Sequence, residues 1–173
     1  TGVAPIITAS GAWKLDNTVA LLLDNVTINK SGTTTQGVLM GAASPVTMQN
    51  GAVINNSGTW TVNNATYTQG VGATSTFNNA GIFIVPAGGN VAFVNVTSNA
   101  SAGAYTNNSG TIDITGINYN FGNVTNTGTI QVTTGTGTFT GDVLNGSGAT
   151  PGTISITGTA NFVCSLTNIS PVI

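Results

Sequence analysis

The chain has 173 residues, 40% of them apolar, and only six are formally charged: Lys14, Lys30, Asp16, Asp24, Asp113 and Asp142. This inventory supplies no basic patch for a phosphate backbone. Residues 31 to 112 carry no charged side chain at all, which leaves acid–base catalysis few candidates. The longest strongly apolar run, Val19 to Leu23, is far short of a membrane-spanning helix, and one Cys excludes an internal disulfide framework.

Thr, Gly and Asn dominate, at 31, 24 and 22 residues. Thr suits pleated surfaces, and Gly and Asn tolerate the left-handed backbone of tight turns. From the N-terminus, an apolar lead (Thr1 to Ile7) precedes the first strand block, Gly11-Ala12-Trp13-Lys14-Leu15. Asp16 and Asp24 flank the run that follows, where loop capping or one shared cation would suit them. Lys14 and Lys30, with those acids close in sequence, are also the candidates for an intramolecular isopeptide link. A degenerate block, Gly32-Thr33-Thr34-Thr35-Gln36, comes next, and then a long segment, Gly37 to Asn50, that the pattern leaves as a projecting loop.

The clearest repeats lie beyond. Gly58-Thr59-Trp60-Thr61-Val62, Gly81-Ile82-Phe83-Ile84-Val85, Gly110-Thr111-Ile112-Asp113-Ile114, Gly128-Thr129-Ile130-Gln131-Val132 and Gly152-Thr153-Ile154-Ser155-Ile156 share large apolar residues two and four places after the Gly. Period-two alternation marks a strand with one buried face, so Trp60, Phe83, Ile112, Ile130 and Ile154 should point inward. Each Gly follows a turn signal: Asn55-Asn56-Ser57, Asn78-Asn79-Ala80, Asn107-Asn108-Ser109, Thr125-Asn126-Thr127 and, in the last block, Thr150-Pro151. If the blocks stack in register, Asn56, Asn79, Asn108 and Asn126 form a ladder of amides. Val96 to Tyr105 is a second loop candidate. An aromatic marks a second strand in each unit (Tyr67, Phe93, Tyr119 with Phe121, Phe139, Phe162), read as a core stack. A third short strand closes the later units at Val124 to Asn126, Val143 to Asn145 and Leu166 to Asn168.

Self-similarity at 18 to 29 residues predicts a single all-β domain over 1–173, a parallel β-helix (β-solenoid) of about seven coils. A β-sandwich of hairpins is the alternative. On this reading Asp113 is a lone outward carboxylate flanked by Ile84 and Gln131. Cys164 alternates with Phe162 and Leu166 on the inward side as an inert thiol. Thr59, Thr111, Thr129 and Thr153 share one outward position, but the next outward position is mixed, so this strand offers no two-row Thr face. Ten Asn-x-Ser/Thr sequons, from Asn25 to Asn168, add glycosylation acceptors if the source can use them.

The run Phe121-Gly122-Asn123-Val124-Thr125-Asn126-Thr127-Gly128-Thr129-Ile130 and the Thr134–Gly141 stretch resemble the β-strand-repeat regions of large bacterial surface proteins, similar to filamentous-haemagglutinin-like adhesins. The resemblance covers roughly Gly51 to Asn168. It implies a right-handed parallel β-helix, export, and a role in attachment or surface architecture, and it carries over no catalytic residue. The residues themselves give no cofactor site, and four scattered Asp do not make the repeated calcium sites of some solenoids. The expected function is that of a non-enzymatic extracellular or cell-surface subunit. Self-association into a fibre through the apolar ends Thr1–Ile7 and Ser170–Ile173 is expected, without nucleic acid or a transmembrane segment. A ligand-binding adhesin domain with host or surface glycans as partners, or an ice-binding solenoid, is the alternative.

Overall fold

The computed structural model describes residues 4–15, 20–37, 44–86, 90–100, 105–146, 151–163 and 166–168. Among them there is no helix, and every strand pairing is parallel. The chain is the predicted β-solenoid, and the hairpin-built sandwich is overturned. A hairpin pairs a strand with its sequence neighbour, whereas here each strand pairs with strands about one coil away.

Each coil contributes three strands, one to each of three faces. The first face stacks Ile6–Ala9, Thr27–Lys30, Val53–Asn56, Thr76–Asn79 and Thr97–Ala100, then the second halves of Thr111–Phe121 and Thr129–Phe139, then Thr159–Phe162. The second stacks Trp13–Leu15, Thr33–Gln36, Thr59–Val62, Ile82–Val85, Tyr105–Asn108, Asn123–Asn126, Val143–Asn145 and Leu166–Asn168. Leu21–Asp24, Ser44–Gln49, Asn64–Gln69, Asn90–Val94, the first halves of Thr111–Phe121 and Thr129–Phe139, and Thr153–Ile156 make the third. The two 11-residue strands run across the corner between the third and first faces and join them into one sheet.

Alternation decides which side chains go in. Trp60, Phe83, Ile112 and Ile130 are all 0–1% exposed, and Ile154 is half-buried against the core. The aromatics form a continuous line of ring contacts. Tyr67 stacks on Phe93 (4.9 Å), Phe93 meets Tyr119 (4.7 Å), Tyr119 meets Phe121 (4.4 Å), and Phe121, Phe139 and Phe162 stack 4.6 and 4.7 Å apart. Because equivalent rings lie one coil apart, each aromatic satisfies its neighbour with no polar cost.

In one respect the register differs from the sequence expectation. The Gly58 and Gly81 blocks lie on the second face, where Ile82 pairs with Thr59 on one side and Tyr105 on the other. The Gly110, Gly128 and Gly152 blocks stack on one another on the third face. Between Gly81 and Gly110 the motif steps across one corner, which is why that interval is the longest, one coil plus one strand. Asp113 therefore pairs with Ala92 and Gln131, not with Ile84. Thr59 is likewise separated from the Thr111–Thr129–Thr153 row. Both loop candidates contain strands: Ser44–Gln49 with strict alternation and Thr97–Ala100. Neither has a leading Gly, and Thr97–Ala100 has no large apolar residue, so the pattern missed them. Residues 38–43 and 101–104 lie outside the described residues, as do Asp16 and Cys164.

Corners are made by two local devices. At the turn from third to first face, Asn25, Asn50 and Asn95 adopt positive φ (47°, 54° and 58°), a conformation Asn tolerates better than other non-Gly residues. At the turn out of the first face in the early coils, Gly is required by contact. A Cβ on Gly58 or Gly81 would lie 2.1 Å from the carbonyl oxygen of Gly32 or Gly58 in the preceding coil. Gly11 has open space at the same place, with nothing within 4 Å of a Cβ there among the described residues. Gly81→Ala should therefore destabilise the fold by about 1–3 kcal/mol, while Gly11→Ala should leave the urea midpoint unchanged within error; equal midpoints for the two variants would refute the contact argument.

Candidate functional site

Asparagine is stacked in three rows, two inside the solenoid and one outside. The first inner row lies where the chain leaves the first face. Asn56 Nδ2 donates to Asn79 Oδ1 (2.8 Å), and the two Oδ1 atoms accept from the N–H of Gly58 and Gly81 (3.2 and 3.3 Å). Lys30 heads this row in register with Asn56. It is 1% exposed, with its ammonium donating to the Gly11 carbonyl and lying 5.8 Å from the Trp13 ring centroid. The second inner row lies at the next corner: Asn108 donates to Asn126 and Asn126 to Asn145, both at 2.7 Å. Asn108 and Asn126 also donate to the carbonyls of Thr129 and Thr153. The expected ladder of Asn56, Asn79, Asn108 and Asn126 is thus two ladders. They are parted by the same corner step that moves the Gly blocks.

Both inner rows do the same work. A corner turned inside a solenoid leaves backbone N–H and C=O groups without strand partners, and burying them unpaired costs free energy. An inward Asn carries an acceptor for its own corner and donors for the next coil, so one residue type can serve successive levels of a row. Asn126→Ala should cost about 1–3 kcal/mol by leaving Asn145 Oδ1 and the Thr153 carbonyl without this donor, read as a lowered urea midpoint; an unchanged midpoint would show that the rows are incidental.

Outside, the first face carries the third row. Asn55 donates to Asn29 (2.7 Å), Asn78 to Asn55 (2.8 Å) and Asn99 to Asn78 (3.0 Å). Beside it, two places earlier in each strand, runs a β-branched row: Thr27, Val53, Thr76 and Thr97 in consecutive coils, with Thr136 and Thr159 in the last two. Sequence reasoning took Asn55 and Asn78 for turn residues. They are the outward positions of strands whose inward neighbours, Ile54 and Phe77, are 2% and 0% exposed. The signal that could have found them is a β-branched residue two places before Asn, as in Val53-Ile54-Asn55 and Thr76-Phe77-Asn78.

The remaining candidates resolve separately. Asp24 accepts from Gln49 (2.9 Å) and Asn50 (2.6 Å) of the next coil, so it caps a corner. Those bonds, Asn50's first, hold its carboxyl below the ordinary 3.8. The stabilisation is fully present above that value and is lost as pH falls through and below it. Asp24→Asn should remove this acid-side component from a stability–pH profile; an identical profile in wild type and variant would refute it. Asp113 accepts from Thr133 (3.2 Å) on the third face. Among the described residues no three or more His, Cys, Asp or Glu come together as a metal would need, and no helix is long and apolar enough to cross a membrane.

Inside the first coils lies an apolar cavity of about 190 Å³, walled by Trp13, Leu15, Leu21, Leu23 and Trp60, with Gln36 and Tyr67 at its edge. Trp60 Nε1 donates to Gln36 Oε1 (3.2 Å) and to the Tyr67 hydroxyl (3.1 Å), and Tyr67 donates to Gln36 Oε1. Burial pushes the Tyr67 phenol far up, so it remains a neutral donor. A shallower groove on the outside of the second face is lined by Asn123, Thr125, Asp142, Leu144 and Thr167.

At both ends the stack opens. Ile7 stands in register with Ile28, which is 6% exposed, yet is itself 45% exposed. Phe162 continues the stack of Phe121 and Phe139, both 0% exposed, and is 39% exposed. Ile6, Leu22, Val163 and Leu166 are more exposed still. No family model, curated protein or solved structure matches the chain.

Proposed function

We propose that the protein is a non-enzymatic structural segment of an extracellular filament or adhesin, which assembles by stacking its end coils on a second copy. The observation that carries this reading is the state of the two ends. Residues whose in-register equivalents are buried lie open at Ile7 and Phe162, beside strand edges with no partner among the described residues. An apolar end and an unpaired parallel edge are complementary to another such end, because stacking supplies to both the pairing that every interior coil already has. Charge is the usual guard against edge-to-edge association, and only six charged side chains are present. The surface texture that resembles filamentous-haemagglutinin-like proteins fits the same role, as does an almost uncharged Asn- and Thr-rich exterior for export.

Negative-stain imaging and sedimentation of the purified chain test this. Filaments or a concentration-dependent rise in mass are expected. Ile7→Lys with Phe162→Lys should abolish either while leaving the β-sheet circular dichroism intact. A monodisperse monomer at high concentration would remove the filament reading.

A further inference from the structure

We propose that the outward side of the first face is an ice-binding surface. This rests on different residues from the end-to-end assembly above and does not depend on it. Four consecutive coils there present a β-branched residue and, two places on, an amide: Thr27 and Asn29, Val53 and Asn55, Thr76 and Asn78, Thr97 and Asn99. The next two coils keep the positions uncharged but vary them, with Asn118 and Asn120 and then Thr136 and Thr138, and the pattern returns at Thr159 and Asn161. Along the strand the two outward positions lie about 6.6 Å apart, and coils repeat at about 4.8 Å, so the face is a two-dimensional lattice of side chains.

Three properties make the lattice complementary to ordered water. First, it is rigid: the amides are tied to one another at 2.7–3.0 Å and the β-branched side chains have restricted χ1. Second, its chemistry is mixed in a regular way. The tied amides retain N–H and carbonyl capacity toward solvent, Thr adds a hydroxyl, and the methyl groups of Thr and Val53 order water around themselves without competing for its hydrogen bonds. Third, it is neutral and free of aromatics. The rings lie inside the solenoid, so a sugar polymer finds no stacking platform, and the absence of charge in both rows leaves nothing to grip an ionic mineral. A rigid, periodic, uncharged array meets its best match in another periodic, uncharged hydrogen-bonding lattice. The Gly blocks do not reveal this face, because their Thr residues belong to the other two faces.

The test is thermal hysteresis and ice-crystal morphology of the purified full chain. Wild type is expected to hold the freezing point below the melting point and to facet crystals. Thr76→Tyr should reduce both to the level of buffer, whereas Thr76→Val should retain most of the effect, as Val53 already occupies this row. Thr61→Tyr, on an outward position of the second face, should retain it in full. Circular dichroism establishes that each variant is folded. The proposal is overturned if wild type leaves ice unshaped, if Thr76→Tyr keeps its activity, or if Thr61→Tyr loses it equally. Binding to crystalline cellulose or chitin without hysteresis overturns it, as does lateral self-association abolished by Thr76→Tyr without any effect on ice.

Discussion

Every feature of this molecule depends on parallel pairing between successive coils. That pairing places each residue about 4.8 Å from its equivalents above and below. A side chain in such a stack must be compatible chiefly with its own kind. Phenylalanine passes, since its rings stack face to face at 4.6–4.7 Å. Asparagine passes because its amide is donor and acceptor at once. Like charges would repel, and the 82 consecutive residues without one are the compositional trace of that constraint. Lys30 is the exception that fits: it stands at the head of a row, where its register partners are Ala9 and Asn56 and no like charge meets it.

The corners carry the rest of the architecture. Straight strands satisfy their own backbone, but a turn within a buried stack does not, and three devices repair it. Left-handed Asn opens the way from the third face to the first. Inward Asn serves the other two corners, and Gly permits an approach between coils so close that a Cβ there would lie 2.1 Å from a carbonyl oxygen. Because the second and third devices serve at either corner, Asn-x-Gly is free to move from one to the other, as it does between Gly81 and Gly110. The aromatic line crosses the core over the same stretch, from Phe93 through Tyr119 to Phe121, so packing and corner chemistry shift together.

The same constraint is why both proposals place function on surfaces and ends. A solenoid interior is committed to self-complementarity, which leaves the outward rows and the two terminal coils to meet anything else. The outward Asn and β-branched rows are as regular as the inner ones because the same register generates both.

Fold class, the inward side chains and the three-strand coil were legible in the sequence, because burial on one side of a strand imposes a period of two that Trp60, Phe83 and Ile130 each display. The absence of a helix followed from the same local chemistry. What the sequence could not decide was which repeats are neighbours. Gly110 resembles Gly81 because both serve a corner, yet only the wound chain determines that they serve different ones. That assignment split the expected Asn ladder in two, gave Asp113 a different partner, and brought Asn29, Asn55, Asn78 and Asn99 into a single outer row. Local periodicity is set by each strand's own side chains, whereas register between coils is set by how many residues each turn consumes, and that sum is fixed only when the whole stack closes.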